Sequence, residues 1–444
     1  MEVLLEKNRY GLDVSNFEGE AVMPPALFTN GYVWDGHATE RFAGEVLLTG
    51  DRIKAVGIGW GSLPREGAEI IDASDATVIP GLIEAHGHLS FAEQATYTTQ
   101  AIDTPPEETL LITLHNARTL LDAGFTGVIG AGSPKLRTEV VIRNEIDAGR
   151  IPGPRLYAST PTITVTGGLN DDRQLHQYRD ITSLVADGPT EMRRAVRLGY
   201  REGVDIIKLN ISGDDFFPRP TSRTTTMSEV EVAAAVEVAH GLGLRVSAHA
   251  RSTEAVKIAV RCGVDLVNHA DFADEEALDL LEEARDRVFV IPTIGYLHNL
   301  MHEAESFGFN SAALERMALP AHLESSISVH SELRRRGVRA LIGGDYGLPW
   351  QPHGTNARDA EHLVNYLGYR PVDALRCATR NGAEAVGRGH ELGRIRPGYY
   401  ADLLLVKGDP TEDVRLLQDR SNLLAIVING RFHKSPVPAN GSIL

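Results

Sequence analysis

The sequence predicts an α/β protein, a (β/α)8 TIM barrel with a small sheet domain assembled from both termini. Three observations lead there. Through the middle of the chain, short apolar runs alternate with amphipathic stretches of 3.6-residue period. Eight such pairs can be read, the number a closed barrel needs. The two ends instead carry short β-branched runs punctuated by Gly, Asp and Asn.

The terminal sheet comes first. Between residues 27 and 80 the segments GYVWDG, GEVLLTGDRIKAVGIG and ATVIP read as strands, and YADLLLVKGDP and LLAIVINGRF repeat the texture near the C-terminus. Residues 1–80 and 391–444 are therefore assigned to one small domain, and 81–390 to the barrel. Barrel strands are expected at 78–84, 126–131, 155–158, 205–210, 245–248, 266–269, 288–293 and 340–344. They are apolar runs rather than alternating ones because a parallel barrel strand is covered on both faces. Helices are expected between them, for example at 106–124, 190–203, 228–243 and 252–263. Two of these open on a Ser cap followed by acids and close on Gly, as helix ends prefer.

A chain of 444 residues exceeds one ordinary compact domain but suits a barrel with insertions. Its net charge of −16 disfavours nucleic acid and polybasic membrane binding. The two cysteines, Cys262 and Cys377, cannot frame a disulfide scaffold and read as small buried hydrophobes. The first twenty residues lack the order of a signal peptide, and no apolar run reaches eighteen residues, so a soluble cytoplasmic protein is expected. The acidic run at 274–286 reads as a charged outer helix face, and LRRRGVR at 333–339 as a solvated helix end.

Chemistry in a barrel of this type sits at the C-terminal ends of the strands. After the first strand comes GLIEAHGHLSF (81–91), where His86 and His88, two residues apart, point to one side of an extended chain. Lys208 lies inside the apolar fourth strand, His249 ends the fifth, His269 the sixth and Asp345 the eighth. Singly, each has an ordinary structural explanation. Together, four histidines, a lysine and an aspartate fall on one face. Neutral imidazoles and carboxylates bind zinc and similar divalent ions. A buried lysine loses its proton easily, and the neutral amine can take up carbon dioxide as a carbamate able to bridge two ions. Two such ions can acidify a shared water and polarise a carbonyl.

The constellation resembles the amidohydrolase superfamily over nearly the whole chain. PGLIEAHGHLSF is similar to its strand-one metal motif, and GRIRPGYYADLLLVKGDP (393–410) with VINGRF (427–432) to its composite β-sandwich. The resemblance implies that His86, His88 and Asp345 bind the more buried metal, that His249 and His269 hold the second, and that Lys208 bridges as a carbamate. It implies two divalent ions, zinc foremost with cobalt or manganese as alternatives, a metal-activated hydroxide, and Asp345 as proton shuttle. RNEIDAGRIPGPRLYAS (143–159) and IKLNISG look like the branch of imidazolonepropionase and Xaa-Pro dipeptidases. The run GGDYGLPWQPHGTNARDAEHLV (343–364) looks like the branch of molinate and phenylurea hydrolases. Loops at 164–172, Asn268–Ala270 and Gly344 depart from the dipeptidase pattern.

The expected activity is hydrolysis of a C–N bond, in an amide, carbamate or urea of a small molecule, by a homo-oligomer. The alternatives are a dipeptidase or N-acyl amino acid hydrolase, and a non-catalytic scaffold. A mononuclear deaminase is disfavoured, because Ala250, Arg251 and Ser252 follow His249 where such enzymes carry a His-x-x-Glu. Substrate candidates are Arg251, which could grip a carboxylate or simply pair with an acid, Tyr296 and His298, which could polarise the carbonyl, and Trp350 and His353, which could wall an aromatic pocket. For each of these, ordinary packing is the competing account.

Overall fold

The computed structural model describes residues 24–436 except 95–103, 174, 177–181 and 218. The N-terminal stretch examined for a signal peptide lies outside the described residues. Two bodies of structure share one chain. An eight-stranded sheet is built from both ends, in the order Arg431–Lys434, Leu423–Ile428, Leu403–Lys407, Ala76–Pro80, Ala26–Val33, Phe42–Thr49, Arg52–Ile58, with Glu69–Asp72 beside Ala26–Val33. The seam between N- and C-terminal parts is an antiparallel ladder running from Leu403 opposite Pro80 to Lys407 opposite Ala76. Phe28, Val46, Val78, Leu405 and Val427 fill its core, so the composite β-sandwich closes on side chains from opposite ends of the sequence.

The barrel strands are Leu82–Gly87, Phe125–Gly130, Arg155–Tyr157, Ile206–Asn210, Arg245–Ala250, Leu266–His269, Phe289–Ile291 and Arg339–Ala340. They form a three-stranded and a longer parallel sheet. Thr160 N donates to Ile206 O at 3.0 Å across one seam, and Ala85 N to Ile342 O at 3.0 Å across the other. These bonds join the two sheets into a ring of eight.

Three expectations are corrected. The single strand predicted over 78–84 is two, Ala76–Pro80 in the sandwich and Leu82–Gly87 in the barrel. The chain pivots at Gly81, where a Cβ would lie 2.0 Å from Thr126 Oγ1, so no side chain fits the crossing. Two further strands, Thr162–Thr164 and Ser183–Val185, extend the sheet beside Ile206–Asn210. The eighth strand is shorter than expected: it is assigned over Arg339–Ala340, its bonding continues through Leu341 N, which donates to Val290 O (2.9 Å), and through Ile342 O, and the chain then runs on toward the strand-end face.

The helices follow the predicted spans closely. Glu229–Gly241 starts at Ser228, whose N–H (2.8 Å) and hydroxyl (2.7 Å) both donate to Glu231. This satisfies the helix start from within. Thr253–Cys262 stops at Gly263, whose φ of +87° suits glycine alone. The basic run near 333–339 is not merely solvated. Arg336 pairs with Glu332 and Asp279, both at 2.6 Å, and with Glu275, tying it to the acidic helix Glu275–Glu283. Cys377 is buried and Cys262 only partly so; both are free. Among the described residues no helix is long and apolar enough to cross a membrane.

Candidate metal centre

The short first strand carries His86, His88 follows directly after it, and their ring centroids lie 5.1 Å apart. Both Nε2 atoms face Asp345 Oδ1, at 3.6 and 3.1 Å. One ligand atom from each of the three lies within 4.8 Å of the others. His269 approaches from the sixth strand, 5.3 Å from the His86 ring, and His249 from the fifth, 4.4 Å from the His269 ring. Lys208 sits on the fourth strand, and its Nζ is buried without a partner. The structure thus brings all six predicted ligand positions to one end of the barrel.

Backbone conformation aims some of them. Asp345 has φ +64° and His269 φ +76°, left-handed values for residues with side chains. Such residues cost on the order of 1–3 kcal/mol each and persist only where the surroundings hold them. Here Gly343 N donates to Asp359 Oδ2 (2.9 Å) and Gln351 Nε2 to Gly344 O, which fix the turn leading into Asp345.

The electrostatics suit a cation. Burial, with Lys208 nearby, holds His86 well below its usual value. Burial first, then Arg251, does the same for His269, and burial takes His249 to about 4. These rings are neutral at neutral pH, the state in which imidazole ligates. Burial brings Lys208 down to about 7 despite the opposing pull of Asp345. Burial alone would raise Asp345, but His86 and His88 hold it well below the carboxylate range. His86 Nδ1, Lys208 Nζ and His269 Nε2 are buried and unpartnered. Buried polar atoms are rarely left so, and in this donor set a bound divalent ion is the fitting partner.

A supporting layer was not read from sequence. Glu84 accepts from His86 N (2.9 Å) and Asn356 Nδ2 (2.8 Å), and burial together with Asp359 lifts it to about 8. On the other side Glu139 accepts from Ser159 N, Ser159 Oγ accepts from Gly132 N, and Gly132 O lies 3.4 Å from His88 Nδ1. The only sequence signal for Glu84 is an acid inside an apolar run. Glu139 has none, being one of many helix acids.

A cavity of about 840 Å³, part of it open to solvent, stands over these residues. Phe91, Leu169, Phe216, Phe217 and Leu348 give it an apolar wall, and Thr162, Asn170, Asn210 and Asp214 its polar points. Phe91 stacks on His88 at 4.4 Å and 6°. Of the predicted substrate residues Tyr296 lines the cavity, with its hydroxyl 3.4 Å from Asp214 Oδ1.

The other four do not line it. Arg251 is wholly buried, donating from Nε to Asp214 Oδ2 (2.8 Å) and from Nη1 to Asp271 Oδ2 (2.5 Å). The acid pairing weighed for it is the one the structure contains, and Asp214 rather than Arg251 reaches the cavity. His322 extends the network, contacting Asp271 at 2.9 Å and Asp215 at 3.2 Å. His298 lies on the helix Ile294–Glu303 and turns outward toward His302 and His362. Trp350 packs behind the wall, against Phe309 (4.9 Å) and Phe216 (6.5 Å). His353 is buried against Gly347.

A parallel barrel with titratable side chains gathered at its C-terminal strand ends belongs to the class that carries chemistry on that face. The chain belongs to the amidohydrolase family, whose model matches residues 77–432. It is 26% identical over 312 residues to an ochratoxinase from Aspergillus niger, a match covering 66% of this chain and 63% of that relative. A crystal structure of a Xaa-Pro dipeptidase with methionine bound in its active site is 27% identical, with TM-score 0.83, covering 93% of this chain and 100% of the other. Molinate hydrolase, 20% identical with TM-score 0.74 over 95% of this chain and 99% of its own, shares the fold. The dipeptidase branch that the sequence resembles is thus represented among its relatives, and molinate hydrolase shares its fold.

Proposed function

We propose that this chain is a metal-dependent hydrolase that cleaves a C–N bond, in an amide, carbamate or urea, of a small molecule. The observation that carries the reading is the meeting of His86, His88, His249, His269, Lys208 and Asp345 under one cavity, with buried nitrogens left unpartnered. His86, His88 and Asp345 would hold one ion, and His249 and His269 the second. Lys208 would bridge after its neutral amine adds to carbon dioxide, forming an N–C bond and releasing one proton. The ions, zinc foremost, supply Lewis acidity toward the attacking water and the scissile carbonyl.

The chain's own groups do the rest. Asp345, ionised at neutral pH, accepts a proton from water and delivers it to the departing nitrogen. Tyr296 stands at the cavity edge to orient the carbonyl side of the substrate. The phenylalanine wall takes an apolar or aromatic substituent and keeps bulk water from the reacting atoms. The dipeptidase relative favours an N-acyl amino acid as second reading. Arg251, held by two carboxylates, does not supply the carboxylate grip such a substrate needs.

Two measurements test this. Metal analysis under non-chelating conditions should find about two zinc-class ions per chain; finding none overturns it. A hydrolysis screen of dipeptides, N-acyl amino acids, anilides, carbamates and aryl ureas with added zinc, manganese or cobalt should release amine from one class. Silence across all of them in metal-loaded protein would point to a non-catalytic scaffold.

A further inference from the structure

His298 does not serve the cavity, and its surroundings suggest a different use. It and His302 stand four residues apart on the helix Ile294–Glu303, so they share a face, and their ring centroids lie 4.6 Å apart. His362 reaches the same place from the neighbouring helix Arg358–Leu367, 5.2 Å from His298. Tyr366 closes one side, 5.1 Å from His298.

The His362 ring is more than nine-tenths buried, and its Nδ1 makes no hydrogen bond. That nitrogen faces inward, 3.6 Å from Asp359 Oδ1 and beside Gly295. Nε2 is left for an outside ligand. Metal-ligating imidazoles commonly turn one nitrogen toward a carboxylate, and His362 has Asp359 in that position, at a distance longer than a hydrogen bond. Two histidines at i and i+4 on one helix form a divalent-ion pincer by spacing alone.

We propose that His298, His302 and His362 form a second, peripheral site for a borderline transition-metal ion of the zinc type, outside the barrel cavity. Three imidazoles and one solvent ligand complete a tetrahedral sphere. Burial holds His298 below the usual imidazole value, so it ligates without first losing a proton at neutral pH. His302 is exposed and carries the adjustment. Among the described residues, His86, His88 and Asp345 are the group whose ligand atoms already lie within 4.8 Å of one another, so the peripheral imidazoles stand farther apart and the proposed ion would have to draw them together. Ions softer than magnesium or calcium are selected, because all three donors are nitrogen.

The test is equilibrium dialysis of the full-length protein against micromolar zinc, with bound zinc counted by mass spectrometry. Wild type should hold one more ion per chain than His302→Ala and one more than His298→Ala. Equal counts in wild type and both variants overturn the proposal. Because His302 is exposed, its variant is expected to keep the wild-type circular dichroism, so a lost ion reports a lost ligand. The comparison is repeated in an Asp345→Asn background. Failure of the cavity to load lowers every count alike and leaves the difference of one. A difference that disappears there would assign the ion to the cavity and also overturn the site.

Discussion

The carbamate on Lys208 can be tested by withdrawing carbon dioxide. Only the neutral amine reacts. At its ordinary value near 10.4, roughly one lysine in 2,500 is neutral at pH 7. Burial brings Lys208 to about 7, so about half of the side chains are neutral there. The barrel wall therefore raises the reactive fraction by roughly three orders of magnitude. From pH 6 to pH 8 that fraction climbs from about 10% to about 90%, roughly ninefold. Metal-stripped protein would be degassed, then given zinc at fixed dissolved carbon dioxide. Recovery of hydrolysis should depend on carbon dioxide and quicken about ninefold across this interval. Carbon-13 bicarbonate should yield a carbamate resonance that Lys208→Ala lacks. Recovery indifferent to carbon dioxide, or full activity in Lys208→Ala, would refute the reasoning. The same shift sets a stability trend for the metal-free protein. The folded-state value lies below the unfolded one, so stability should rise with pH between about 7 and the ordinary lysine range and be level below it.

Three further outcomes are expected. Asp345→Asn should leave thermal unfolding near wild type while turnover falls by about 10²- to 10⁴-fold, the usual weight of a proton-transfer group; an active variant removes the shuttle. Arg251→Met should cost about 3–5 kcal/mol in urea unfolding, because it strands the carboxylates of Asp214 and Asp271; a loss under 1 kcal/mol would show the ion pairs to be dispensable. His322 is lifted above its usual value by Asp271 and Asp215 against the effect of burial. Its contribution should be complete below about pH 6.5 and fade as pH rises through the lifted value. His322→Gln should flatten that alkaline slope, and an unchanged slope would assign it to other groups.

The proposed ligand positions were readable because they sit in or at the end of apolar runs that have no other use for them. GLIEAHGHLSF and DIIKLNISG place polar side chains where the strand pattern asks for hydrophobes. What surrounds them was not readable, for reasons of distance. Arg251 finds its acids 37 residues before it and 20 after, and nothing local selects Asp214 and Asp271 among the other carboxylates. His298 was placed with Tyr296 because they are neighbours in sequence. Residues two apart point to one side on a strand but to different faces of a helix, and the chain turns helical at Ile294. The break at Gly81 was hidden because Ala76–Pro80 and Leu82–Gly87 are both buried, and one apolar run fits either sheet.

The ladder between Leu403–Lys407 and Ala76–Pro80 bears on how the molecule is made. Residues 26–80 leave the ribosome early, yet the strand that covers Ala76–Pro80 follows more than three hundred residues later. The barrel must therefore be synthesised while a row of unpaired backbone groups and apolar side chains on Val78 and Ile79 stands open. Such an edge invites pairing with another nascent copy, the hazard of slow, long-range β closure. A chain cut before Leu403 would keep every proposed metal ligand and still carry that open edge, so its yield should depend on chaperones.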